Sequence, residues 1–136
     1  MNALTAAKWI DALETPTGAW AAALTDLYGP NYADRLPLLR AALRKFASRF
    51  GEDRPVRVFR SPGRINLRGM HVDTHGGYLN LMTHQREMVI VASPADGPLC
   101  RFANVNPQFA EQIFSLDDAR NDPAFGADWF SFITAA

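Results

Sequence analysis

The chain carries one cysteine, two lysines and no charge excess of either sign: 14 basic residues meet 14 acidic ones among 136. A lone Cys100 excludes an internal disulfide and suits a reducing, cytoplasmic setting. No run approaches the ~18 uninterrupted apolar residues of a membrane helix. The opening, MNALTAAKWIDALE, interrupts its apolar residues with Lys8, Asp11 and Glu14, so it does not read as a signal peptide. There is no GxxxxGK[ST] loop, no GxSxG elbow, no internal repeat and no low-complexity linker.

What is present has globular proportions, with 48% hydrophobic and 21% charged residues. The length is one domain's worth, enough to bury about 68% of the unfolded surface. The charge is unevenly placed. Residues 1–53 hold six acids and six bases, whereas residues 54–92 hold six arginines against Asp73 and Glu87. Residues 93–136 reverse the sign, with six acids against Arg101 and Arg120. A short basic stretch cancelled by its neighbour suits a small anion better than a nucleic-acid duplex.

The first fifty residues predict helices. Thr5 caps a turn into Ala6–Leu13, where Trp9, Ile10 and Leu13 share a face. Trp20–Tyr28 is a second helix, closed by Gly29-Pro30. A third has Pro37 in its first turn, an apolar face of Leu39, Leu43, Phe46 and Phe50, and Gly51 at its end. Its Arg40, Arg44, Lys45 and Arg49 read as a solvated face. After Gly51 the period shortens. Val56 and Val58 begin a strand leading to Pro62-Gly63, and residues 78–83 and 87–92 read as two more, the last apolar enough to be central. Leu99–Asn104 and Gln112–Leu116 continue a meander, and Asp117 or Asp118 caps a short turn.

Near the C-terminus Asp128 reads as the cap of a helix opening Trp129, Phe130, Phe132, Ile133. So short and apolar a helix wants a partner, and the chain is expected to be part of something larger. A closing strand or turn of a small α+β domain is the alternative.

Chemistry concentrates in residues 61–77, SPGRINLRGMHVDTHGG. Gly63, Gly69, Gly76 and Gly77 permit positive φ and close approach of backbone to a ligand. Arg64 offers a fork of donors for phosphate, and Asp73 accepts from hydroxyls. A metal is the second reading of the same residues. In an extended segment His71, Asp73 and His75 point to one face, with His84 near, although the spacing matches no established zinc pattern.

With Phe46, Phe50-Gly51 and Pro55 ahead of it, this run resembles the opening of a galactokinase-type sugar kinase of the GHMP superfamily. That family's signature reads APGRVNLIGEHTDY. Pro62, Gly63, Arg64, Asn66, Leu67, Gly69, His71 and Asp73 fall on its positions, and Gly77 follows. The resemblance covers about residues 40–136, through Phe114–Asp118 to Trp129, and leaves residues 1–30 without a counterpart.

The resemblance implies an α+β fold, N-terminal helices (1–50) followed by a mixed or antiparallel sheet (51–136) similar to ribosomal protein S5 domain 2. It implies ATP-dependent phosphorylation of a monosaccharide hydroxyl in the cytoplasm, with ATP and Mg2+ used by the longer parent. Arg64 would be catalytic, offsetting charge on the transferred phosphoryl group. Met70, His71, Asp73 and Gly77 would bind substrate, with no metal ligand in this chain. Three positions depart: Met70 for a glutamate that grips a distal hydroxyl, Arg68 for an apolar residue, Thr74 for a tyrosine. The phosphate loop and the catalytic aspartate of the family come after residue 136, so this chain alone is expected to bind no ATP tightly and to be inactive. Its partner is then a sugar or sugar-like molecule, not nucleic acid or membrane, with self-association through an uncovered face. A kinase-like sugar sensor that binds without catalysis is the alternative, and a nucleic-acid binder on the S5-like fold is disfavoured by charge.

Overall fold

Thr5 opens the first helix as an N-cap, its hydroxyl accepting from the Lys8 backbone N–H at 3.3 Å. In the computed structural model, which describes residues 3–68 and 73–117, this helix is α1 (Ala6–Glu14). Two more of its N-terminal donors are satisfied by the chain beyond the third helix: Ala6 donates to the Arg54 carbonyl and Ala7 to the Glu52 carbonyl, each at 3.0 Å. The same segment returns the Val56 N–H to the Leu4 carbonyl at 2.8 Å. Helix α2 (Gly18–Tyr28) ends where Gly29 donates to Thr25, and a 3-10 turn (Tyr32–Arg35) leads into α3 (Leu36–Phe50).

Helices α1 and α3 pack together because their apolar stripes face each other. Leu13 and Leu43 are fully buried, joined by Ala6, Leu24, Leu36, Leu39, Phe46 and Val56. Each leucine so buried contributes about 2 kcal/mol. Trp9 and Trp20 meet edge-on with ring centroids 4.8 Å apart. Of the basic residues of α3, Arg44 and Arg49 are exposed, as the solvated-face reading expects, and Arg40 and Lys45 are half-buried, yet all are engaged at this surface. Arg40 and Arg44 bond the end of α1, and Arg49 bonds Glu111 through Nη2 and Nε, each at 2.5 Å.

Past α3 lie β1 (Arg57–Arg68) and β2 (Asn80–Ala92), paired as one two-stranded sheet. Strands β3 (Leu99–Phe102) and β4 (Gln112–Ser115) form another, antiparallel, with Cys100 opposite Phe114 and Phe102 opposite Gln112. The Phe102 and Phe114 rings stack 5.6 Å apart. Helices with small antiparallel sheets make the α+β arrangement that the sequence predicts. The strand limits differ. β1 runs straight through Pro62-Gly63, and the two strands expected at 78–83 and 87–92 are one. The strand at 87–92 is not central, for among the described residues its sheet has two strands.

The described residues fall into two compact units, Val58–Ile90 and the chain on either side of it. Every core residue lies in the flanking unit. No described helix is long and apolar enough to cross a membrane. The helix expected after Asp128 and the cap at Asp118 lie outside the described residues.

Candidate functional site

The unit Val58–Ile90 spans residues 61–77, and its described strands make a hairpin folded about its own centre. Arg60 Nε donates to Glu87 Oε2 at 2.6 Å. Three residues further in, Gly63 lies against His84. Both pairs are symmetric about Asp73-Thr74, so two contacts of different chemistry fix one register. The Glu87 side chain is only 1% exposed, and its second oxygen, Oε1, is buried without a hydrogen-bond partner.

Gly63 has a role that the sequence reading assigned elsewhere. A Cβ at this position would enter the His84 imidazole and stand 2.8 Å from the Arg86 carbonyl oxygen. The close approach seen here is to the neighbouring strand. His84 is held from the other side, its Nδ1 accepting from the Arg86 N–H at 3.0 Å. A neutral imidazole then carries its proton on Nε2, the atom turned toward Gly63.

Alternation along β1 puts Arg60, Arg64, Asn66 and Arg68 on one face and Phe59, Gly63, Ile65 and Leu67 on the other. Arg64 and Arg68 are exposed, and no hydrogen bond or ion pair joins either to another of the described residues. Between the strands, Asp73–His75 winds into a single 3-10 turn, with the Thr74 hydroxyl 3.0 Å from His75 Nδ1. The backbone from Asp73 to His75 is thus a turn and not the extended segment that the metal reading assumes. Gly76 leaves the turn at φ 74°, a left-handed conformation that favours glycine. Gly77 follows, half-buried, and Tyr78 stands 99% exposed. Met70 and His71 lie outside the described residues, as does the Asp73 side chain. Among the described residues no three His, Cys, Asp or Glu side chains cluster as a metal site.

Sequence reasoning singled out neither Arg60 nor Glu87, and named His84 only beside the metal reading. The signal was available, since 60 with 87 and 63 with 84 mirror about one turn, but each reads alone as an ordinary strand residue.

Residues 44–94 match the family model of the galactokinase galactose-binding signature. The galactokinase of Lactococcus lactis subsp. cremoris (strain MG1363) is 52% identical over 97 residues, 71% of this chain and 24% of the relative. The chain is galactokinase-like over this stretch. The galactokinase of Clostridium perfringens (strain 13 / Type A) is 39% identical over 74 residues, 54% of this chain and 19% of its own. That of Chloroflexus aggregans is 33% identical over 88 residues, 65% and 22%. The chain thus spans about a quarter of the length of these relatives or less. No solved structure matches it at a significant level. The galactokinase-like stretch begins in α3 and ends just past β2, enclosing the whole unit Val58–Ile90.

Proposed function

We propose that this chain is the N-terminal, sugar-binding part of an ATP-dependent sugar kinase of galactokinase type, acting in the cytoplasm. The observation that carries the reading is the match to a galactose-binding signature over the hairpin that presents Arg64. In this reading residues 51–136 belong to a sugar-binding domain similar to ribosomal protein S5 domain 2, and residues 1–50 are a helical segment beside it.

The assigned roles follow from side-chain chemistry. The Arg64 guanidinium holds a permanent charge where negative charge develops on the transferred phosphoryl group. His71 and Asp73 hydrogen-bond sugar hydroxyls and orient the attacking one, which converts an encounter into a positioned reaction. Gly77 lets the backbone close on the sugar, and Met70 offers it apolar contact without a strong acceptor. ATP supplies the phosphoryl group and magnesium neutralises its oxygens. The 136 residues include no Gly/Ser-rich phosphate loop, and the described residues no acidic cluster, so both are assigned to a longer parent and no step is routed through them.

The chain alone accordingly binds sugar and transfers no phosphoryl group. Calorimetric titration tests this: galactose gives a saturable isotherm and ATP gives none. A low-micromolar dissociation constant for ATP overturns the second half, and no heat with any hexose overturns the first. The same chain self-associates through apolar residues exposed on the hairpin, among them Phe59, Leu67, Met82 and Met88. Concentration-independent monomer in sedimentation equilibrium removes that part.

A further inference from the structure

We propose that Asp96-Gly97, in the connection between β2 and β3, is a site of spontaneous covalent modification, at which the backbone isomerises through a cyclic imide to an isoaspartyl linkage. The step needs water and no other reactant. The Gly97 amide nitrogen forms a bond to Asp96 Cγ, and a Cγ–O bond breaks. The oxygen leaves as water, carrying the amide proton and one proton from solvent. Water then adds to the imide. Attack at Cγ restores aspartate, whereas attack at the main-chain carbonyl leaves the chain running through Cβ and Cγ with the α-carboxylate pendant. Nothing is oxidised or reduced, and the inference stands apart from the sugar-binding reading above.

Of the aspartates and asparagines in the chain, Asp96 alone precedes a glycine. A side chain on the following residue crowds the attacking nitrogen, and glycine has none. Gly97 stands at φ 124°, and a Cβ built on it would meet no heavy atom within 4 Å. Both residues are exposed, in a bend outside the strands. No hydrogen bond or ion pair joins either to another of the described residues, so nitrogen and carboxylate are free to meet. Asp53 is the contrast. It is exposed too, but it precedes Arg54, whose carbonyl accepts from Ala6 and whose guanidinium bonds the Pro94 carbonyl.

The flanks of the bend are fastened while its centre is open. The Pro94 carbonyl accepts from Arg54 Nη2 at 2.7 Å, and the Pro98 carbonyl accepts from the Leu116 N–H at 2.9 Å. The second bond closes the β3–β4 ribbon just ahead of the Leu99–Ser115 pair. Exposed loop tips of this kind are where a folded chain admits covalent change, so the reaction does not wait for unfolding. Isomerisation inserts one methylene carbon into the backbone, about 1.5 Å of extra path, and sets a carboxylate on the main chain two residues before Pro98. The effect on structure is therefore expected at the Pro98–Leu116 bond, the end of the ribbon nearest the site.

The test is prolonged incubation of the whole folded chain at neutral pH, followed by tryptic digestion. The peptide of residues 87–101 contains the site and is followed by chromatography with electron-transfer mass spectrometry. A second species of unchanged mass should grow with time, its fragment ions placing isoaspartate at position 96, alongside a minor species lighter by one water. Its rate in the folded chain should lie within several-fold of the rate in a free synthetic peptide of the same residues. Asp96→Glu keeps the charge but closes no such ring readily, and should give no second species. In the aged chain the Leu116 amide should exchange faster with solvent than in the fresh one. A folded chain that stays unmodified while the free peptide converts overturns the proposal. So does a second species that persists in Asp96→Glu, or conversion at other aspartates as fast as at Asp96. Unchanged exchange at Leu116 overturns the link to the ribbon.

Discussion

Arg40 of α3 closes the C-terminus of α1 by donating to the Leu13 carbonyl through Nε at 3.0 Å and Nη2 at 2.6 Å. The same Nη2 reaches the Glu14 carbonyl at 2.9 Å. The last carbonyls of a helix have no partner within it, and a cation there also opposes the negative end of the helix dipole. Neighbouring Arg44 bonds the Glu14 carboxylate, so one turn of α3 fastens one helix end.

Arg40→Met keeps the aliphatic stem and removes the donors. It should lower the stability of the helical unit by about 1.5–3 kcal/mol, the value of hydrogen bonds to a charged group. Urea unfolding followed by circular dichroism measures it, and an unchanged midpoint rules the cap out as a contributor. Arg44→Met, exposed, should cost less than ~1 kcal/mol.

Gly63→Ala forces a methyl group into His84 and against the Arg86 carbonyl, which should cost about 1–3 kcal/mol. A second substitution, His84→Ala, should restore only part of the loss because the backbone oxygen stays. Amide exchange across β1 and β2 reports it. Full rescue by His84→Ala would show that the ring is the whole obstacle.

The Arg60–Glu87 pair joins a half-exposed arginine to a buried carboxylate. Glu87→Leu alone leaves Arg60 without this partner and should cost roughly 1–3 kcal/mol, below the range for fully buried pairs because Arg60 is partly solvated. Arg60→Met with Glu87→Leu should recover much of that loss. A double-mutant cycle on thermal melts gives the coupling, and additive losses would show that the pair is incidental.

Hydrogen bonding from Arg49 holds the Glu111 carboxyl below the ordinary carboxylate range, outweighing the opposing effect of burial and aided by the charges of Arg49, Lys45 and Arg101. A group whose folded pKa is depressed stabilises the fold above its unfolded pKa, and that contribution disappears as pH falls through the folded one. Stability should therefore drop below about pH 4.5, and less so in Glu111→Gln. Chemical melts at pH 3 and pH 7 compare the two, and identical acid sensitivity would falsify the assignment.

In a longer kinase carrying this segment, Arg64→Ala should lower kcat by roughly 10²–10³-fold, as for loss of one transition-state donor. Asp73→Ala should mainly raise KM, since hydroxyl contacts serve ground and transition states alike. Met70→Glu should shift preference toward neutral galactose-like sugars and penalise an acid. Steady-state rates over a panel of hexoses and hexuronates decide, and an unchanged ranking removes the role given to position 70.

The helices were legible because their determinants are local. Thr5, Pro37, Gly29 and Gly51 mark ends, and spacings of three and four mark the buried faces, so Leu13, Leu39, Leu43 and Phe46 could be placed from the sequence. The run from Ser61 to Gly77 stood out for the same reason: its glycines, arginines and histidines are contiguous. The hairpin pairing is not local. Pro62-Gly63 reads as a turn, yet β1 continues through it because Gly63 accepts His84 and Arg60 finds Glu87 from the far strand. The basic face of α3 likewise has an ordinary solvated pattern until α1 and Glu111 arrive against it. Sequence by itself determined the helices, their buried stripe and the position of the chemically dense loop, since each depends on neighbours within a turn or two. Only the tertiary structure decided which arginines are neutralised and which are left open, because a charge's partner is set by distance in space.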